Sequence, residues 1–375
     1  MEKTNHHRAI LALLQIPGIR YQRIKILLQQ KQVKTAEDIF RMEIPDLMKI
    51  DGIGASVARE IVRFDQWDTV DRILDFTRKL NSILVSITDD EYPPLLKHIY
   101  DAPPLFWVKG NPKALLNNGI AVVGTRNAGK YGRNQAAYWT KELVRARLNI
   151  NSGLAYGIDG IAHKTAIDCG GCTIAVLGSG IDWIYPEKHT GLAQQIISSG
   201  GAVITEFPPG TKPDAGNFPE RNRIVSGMSE GVLVIESGLK GGSMITARFA
   251  LDQNREVFVV PHQLNHVHGE GNNYLIKSGQ GKLVQKPEDI YEEISISVSL
   301  NGSVQTKNKN VWKELDIDER GKEICGLLEK GPLHIDSIAE QTNSQTYQLL
   351  PKLLELEMLG AIEQRAGKYF QLKEN

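Results

Sequence analysis

Cysteine is scarce in this chain, with three in 375 residues. So small and odd a number cannot close a disulfide framework, and the fold has to rest on its apolar core in a reducing setting. Charge of one sign is missing too: Lys plus Arg and Asp plus Glu both stand at 44. That balance gives no global signal for nucleic acid or an anionic membrane, although a neutral chain can still hold a local basic cleft. No run approaches the roughly 18 apolar residues of a membrane span. The polar start MEKTNHHR is unlike a signal peptide, and we expect a cytoplasmic protein with no membrane partner.

Several chemical motifs are begun and left incomplete. Gly124 to Lys130 follows a strand pattern and precedes a helix pattern, as a P-loop does. The next residue is Tyr131, so the hydroxyl that would hold Mg²⁺ is missing, and no strand ends in a clear Walker B aspartate. Gly178-Ser179-Gly180 lacks the third glycine of a dinucleotide fingerprint. Cys169 and Cys172 form a lone C-x-x-C to which His163 adds at most a third ligand, whereas zinc wants four. His262, His266 and His268 lie in a polar loop without a clear carboxylate partner and read as loop histidines. Ser152, Asp159 and His163 are close in sequence, which fixes no triad geometry. The expectation is no catalytic residue, no metal and no cofactor.

What is present is an alternation. Between about Gly119 and Val284, short Val/Ile-rich runs (GIAVVG, TIAVLG, AVITEF, GVLVIES, EVFVVPH) break at glycines or polar residues and alternate with amphipathic stretches such as NQAAYWTKELVRAR. This predicts an α/β fold, an open parallel sheet with helices on both faces. In such a sheet the crevice lies at the carboxyl ends of the strands, where Thr125, Arg126, Ser152, Asp159, Ser179, Glu206, Glu236 and Ser243 are expected to converge. Several of those ends are helix N-termini, whose N–H groups and dipole favour anions.

Composition separates the rest. Residues 1–80 read as a helical helix-hairpin-helix-like (SAM-like) domain with two related units, LLQIPGIRYQRIKILL and LMKIDGIGASVAREIV. Gly52 and Gly54 in the second turn either offer backbone N–H groups to a nucleic-acid phosphate, a secondary DNA contact that reads no bases, or serve only to pack the two helices against each other. The first turn has Arg20 where the second glycine would be. Residues 81–295 form the core, 296–312 a linker without apolar period, and 313–375 a winged-helix domain of three helices and a hairpin turning at Gly367. The recognition-helix pattern sets Lys352 against Glu355 and Glu357, a poor balance for phosphate, so protein contact is as good a reading there as DNA.

Within the core, Asn217-Phe218-Pro219-Glu220-Arg221-Asn222-Arg223 opens a helix after a Pro/Gly-rich loop. The plain reading pairs Arg221 and Arg223 with Glu220 and Glu230. The functional one turns both guanidiniums into the crevice to grip phosphates, with Phe218 stacking on an unpaired base.

The segments Val123-Gly124-Thr125-Arg126, Ser152-Gly153-Leu154-Ala155-Tyr156-Gly157-Ile158-Asp159, Tyr185-Pro186, Phe218-Pro219-Glu220-Arg221-Asn222-Arg223 and Gly242-Ser243, in this order, resemble the DNA-processing protein A (Smf) family. The resemblance implies a Rossmann-like core that binds single-stranded DNA, brings RecA recombinase to it in natural transformation, and forms a homodimer. Carried over by position, Gly124, Thr125, Arg126, Ser152, Gly153, Gly157, Phe218, Arg221, Asn222, Arg223, Gly242 and Ser243 would line the DNA pocket. Two positions depart from the family pattern, Pro261-His262 and Gly279-Gln280. A competing class is a phosphoribohydrolase, which GLKGGSMITARFA resembles faintly, but the catalytic acid of that loop is missing after Thr246.

Overall fold

A computed structural model describes residues 2–294, 312, 315, 317–329, 331–365 and 367–373. The expected linker at 296–312 lies, apart from Trp312, outside the described residues. The chain divides into two compact units, one of residues 1–253 with 257–283, the other of 254–256 with 284–375.

The larger unit begins with helices α1 (Glu2–Gln15), α2 (Tyr21–Leu28), α3 (Ala36–Ile39), α4 (Ile44–Leu47), α5 (Ala55–Val62) and α6 (Trp67–Lys79). Their apolar faces, among them Ile10, Leu13, Leu27 and Leu47, belong to the same buried cluster as Leu105, Trp107 and Val203 of the sheet that follows. Helices this short are marginal alone, and packing on the sheet supplies what propensity does not. The second hairpin turn holds Gly52 at φ +76° and Gly54 just before α5, both exposed. In the first turn, the Arg23 guanidinium donates to the Gly18 carbonyl.

The sheet has strands β1 (Ile83–Ser86), β2 (Leu105–Gly110), β3 (Gly119–Val123), β4 (Asn149–Ser152), β5 (Thr173–Val176), β6 (Ala202–Thr205), β7 (Gly231–Val234), β8 (Glu256–Val259) and β9 (Lys282–Leu283). Their order is β1-β2-β6-β5-β4-β3-β7-β8-β9. β6, β5, β4, β3 and β7 pair in parallel, in register Ala121 to Asn151 and Ala121 to Val232, while β1 and β2 add an antiparallel edge. β3 to β7 are buried throughout, as expected of parallel strands covered on both faces. The covering helices are α7 (Lys130–Arg145), α8 (Ile158–Asp168), α9 (Thr190–Ser198), α10 (Asn217–Gly227), α11 (Gly242–Asp252) and α12 (Glu270–Lys277). Successive strands β3 to β6 run one way across the sheet and β7 returns to the other side of β3. That reversal opens a crevice beyond the carboxyl ends of β3 and β7.

The smaller unit contains α13 (Glu288–Glu293), α14 (Glu319–Leu328), β10 (Leu333–His334), α15 (Ile335–Gln341), α16 (Thr346–Met358), β11 (Ile362–Arg365) and β12 (Tyr369–Leu372). From α14 onward this is a winged helix, its sheet ordered β10-β12-β11 with Gly367 at φ +77° in the wing turn. On α16 the Lys352 ammonium lies 2.8 Å from Asp318 and 2.9 Å from Glu355, while Tyr347, Leu350, Leu354 and Met358 are exposed. The helix therefore shows solvent an apolar stripe, and its lysine is already neutralised.

Candidate nucleic-acid interface

The crevice at the strand reversal is a cleft of about 650 Å³. The loop after β3 contributes Gly124, Thr125 and Arg126, the loop after β4 Gly153, α10 contributes Phe218, Arg221 and Asn222, and the start of α11 Gly242 and Ser243. Nine of the twelve core residues expected from sequence thus meet in one place. Arg126 is exposed, and its guanidinium carbon lies 5.5 Å from the Phe218 ring centroid. Tyr185 tilts against Phe218 at 5.4 Å. Tyr156 and Tyr185, both about two-fifths exposed, extend this aromatic surface. Neither tyrosine carries a contact signal in the sequence; only the folding of the β5–α9 loop against α10 reveals Tyr185 as the ring beside Phe218.

Arg221 lies beneath this surface and is 4% exposed. Its Nη1 donates to the Gly153 carbonyl at 2.5 Å and to the Val176 carbonyl. A Cβ on Gly153 would stand 2.4 Å from the guanidinium, so only glycine lets the arginine lie there. Burial pulls the Arg221 pKa down to about 10, against the attraction of Asp159, and it stays charged at neutral pH.

Three expected contacts do not line the cleft. Ser152 is fully buried, its hydroxyl donating to the Val122 carbonyl at 2.7 Å. Gly157 supports the loop from behind: at φ +75° its Cβ position would fall 2.2 Å from the Thr125 carbonyl oxygen. Arg223 points elsewhere altogether. It is 3% exposed, with Nη2 at 2.6 Å from Glu206, Nε at 3.0 Å from Asp101 and its guanidinium 4.7 Å from the Tyr21 ring. Residues two apart on a helix face different sides. Arg221 turns toward the cleft and Arg223 toward β6 and α2, where it ties the N-terminal helices to the sheet. Glu206 goes with it, and Ser179 is buried with its hydroxyl donating to the Trp183 carbonyl at 2.6 Å.

Two of the expected anion-binding loops are occupied by the chain's own carboxylates. The Gly129 N–H at the mouth of α7 donates to both Glu236 oxygens, at 3.2 and 3.1 Å. The Gly153 and Ala155 N–H groups donate to Asp159 Oδ2 at 3.1 and 3.4 Å. Asp159 is the one acid among the residues lining the cleft, and burial raises its pKa while Arg221 pulls the other way. The P-loop-like segment thus offers its helix mouth to a carboxylate instead of a phosphate, while α11 is preceded by Gly241 and has no side-chain cap.

Glu236 has further neighbours. One donor atom each from Glu236, His262 and His266 lies within 4.8 Å of the others. The carboxylate partner that sequence did not supply for these loop histidines comes from the end of β7.

A family model described as DNA recombination-mediator protein A matches residues 83–295. A DprA winged helix domain model matches 315–368, and a SAM-like helix-hairpin-helix tandem model 10–64. Protein Smf of Escherichia coli (strain K12) is 34% identical over 357 residues, 95% of either chain. The X-ray structure of DNA processing protein A from Streptococcus pneumoniae superposes with a TM-score of 0.66 at 34% identity, covering 78% of this chain and 99% of that one. DNA processing protein A from Helicobacter pylori, whose structure was described for a single-stranded DNA binding mode, gives a TM-score of 0.51 at 28% identity over 56% of this chain and 94% of that one.

Proposed function

This chain belongs to the DNA recombination-mediator protein A family, and we propose on that premise that its core binds single-stranded DNA and passes the strand to the RecA recombinase. One observation carries the reading: cationic Arg126 beside the tilted Phe218–Tyr185 pair, in an open cleft at the strand reversal. Single strands are held by charge along the backbone and by rings on which bases stack, a combination that a paired duplex cannot use. The contacts proposed are the β3–α7 loop residues Gly124, Thr125 and Arg126, the α10 residues Phe218, Arg221 and Asn222, and the α11 start at Gly242 and Ser243. Gly52 and Gly54 form a secondary phosphate contact.

The reading is of a non-catalytic, cytoplasmic protein that acts as a homodimer through its core and needs no nucleotide. Glu236 on the Gly129 amide supports the last point alone, because the place of a bound phosphate in a P-loop is taken by a carboxylate. Among the described residues no helix is long and apolar enough to cross a membrane. The test is a titration of the full chain with labelled single-stranded and duplex oligonucleotides, followed by RecA filament assembly on the single strand. Preference for the single strand and faster filament nucleation are expected. Equal affinity for duplex, or nucleation no faster than with RecA alone, would contradict the proposal.

A further inference from the structure

We propose that Glu236, His262 and His266 form a binding site for a divalent transition metal ion, with zinc as its best chemical match. Glu236 follows β7; His262 and His266 stand in the loop between β8 and α12. The two imidazoles stack at 4.5 Å between centroids, 27° apart, and one donor atom from each of the three residues lies within 4.8 Å of the others.

Among the described residues, Nδ1 and Nε2 of His262 and Nδ1 of His266 are shielded from solvent and lack a hydrogen-bond partner. Such nitrogens carry a desolvation cost that a metal ion would offset. Two imidazoles and one carboxylate are a familiar zinc donor set, and two nitrogen donors argue against magnesium or calcium, which prefer oxygen. Tetrahedral zinc with ligands at about 2.0–2.1 Å sets donors roughly 3.3 Å apart, so a small inward movement of the loop closes the site. A fourth position is open to water; His268, whose ring lies 5.9 Å from that of His266, is exposed beside it.

The surroundings already orient the ligands, as outer partners of a metal site do. The Gly129 N–H holds the Glu236 carboxylate. Tyr131 meets the His262 ring edge-on at 5.1 Å and donates its hydroxyl to the Pro261 carbonyl at 3.0 Å. A Cβ on Gly269 would fall 2.1 Å from His262 Cγ, so the loop closes on the imidazole only with glycine there. The ion would pin the 262–269 loop to the β7 end, behind the Thr125 N–H, which donates to the Glu236 carbonyl at 2.7 Å.

The test uses untagged full-length protein, stripped with chelator and titrated with zinc chloride by calorimetry, with bound metal counted by elemental analysis. One zinc per chain is expected. His262→Ala and His266→Gln should each weaken binding at least about tenfold while the metal-free variants keep the parental circular dichroism; the glutamine, which keeps a polar side chain of similar length, is the gentler of the two changes. Cobalt in place of zinc should give the strong visible absorption of a tetrahedral centre. A Cys169→Ser/Cys172→Ser variant should bind zinc as the parent does. The proposal is overturned if the parent binds no stoichiometric zinc, if both folded histidine variants bind like the parent, or if the cysteine variant loses the ion.

Discussion

Replacing Arg223 by alanine should damage the fold and leave the chemistry of DNA contact intact. The arginine and Glu206 are 3% and 4% exposed at the side chain and lie 2.6 Å apart, so the substitution leaves a buried carboxylate without its cation, with the Tyr21 hydroxyl as its remaining partner. Removing one partner of a buried pair costs about 3–5 kcal/mol. For a domain of 150–250 residues each kcal/mol lowers the melting temperature by about 2–4 °C, so a drop of roughly 6–20 °C is expected. The Asp101 contact adds little, since that side chain is 36% exposed. Thermal unfolding of the full chain, followed by circular dichroism, reads the loss. Titration with labelled oligonucleotide below the transition, at several salt concentrations, reads the DNA contact. The salt slope should match the parent, and replacing the pair together by Arg223→Met/Glu206→Leu should recover much of the stability. A variant with the parental melting temperature and a slope flatter by about 0.7 would refute the assignment and return Arg223 to the cleft.

Phe218→Ala should cost about 1–3 kcal/mol of single-strand affinity with the salt slope nearly unchanged, because ring stacking is largely uncharged; a flattened slope at parental affinity would count against a stacking role. His163 is fully buried, with its Nδ1 2.7 Å from Thr173 Oγ1, and burial lowers its pKa from 6.5 to about 3. The unfolded chain therefore binds a proton at this site that the folded chain refuses, so stability present above pH 6.5 is lost as pH falls from there toward 3. Denaturant unfolding at stepped pH should show this group contributing up to about 1.4 kcal/mol per pH unit, and His163→Gln should flatten that dependence. An unchanged pH dependence in the folded variant would remove His163 as the source.

The alternation of short β-branched runs and amphipathic helices was enough to read the parallel sheet, since both faces of its strands are buried and the pattern repeats in the chain. The cleft was legible at the strand ends for the same reason. Arg223 was not, although spacing held a warning: two helical residues separated by one cannot share a face, and only one of the RNR arginines can enter the crevice. The capping of Gly129 by Glu236 joins positions 107 apart in sequence. No local pattern announces such a pair, so a loop that reads as phosphate-binding is closed by the chain's own acid. The Glu236–His262–His266 group was hidden likewise, its carboxylate sitting on one strand end and its imidazoles beyond the next. Tyr185 escaped because an exposed tyrosine in a loop carries no periodicity; its place beside Phe218 is a product of the tertiary fold.

If this cleft holds a single strand through Arg126 charge and ring stacking, removing that one charge must show in the salt dependence of binding. Fluorescence anisotropy of a labelled oligothymidylate, titrated with the full chain and with Arg126→Ala across a range of salt, gives both affinity and slope. Arg126 is exposed and its removal leaves no buried charge unpaired, so the variant should keep its fold. Arg126→Ala should bind more weakly, with a plot of log affinity against log salt shallower by about 0.7, the share of one phosphate contact on a single strand. Parental affinity and slope in Arg126→Ala at every salt concentration would contradict it.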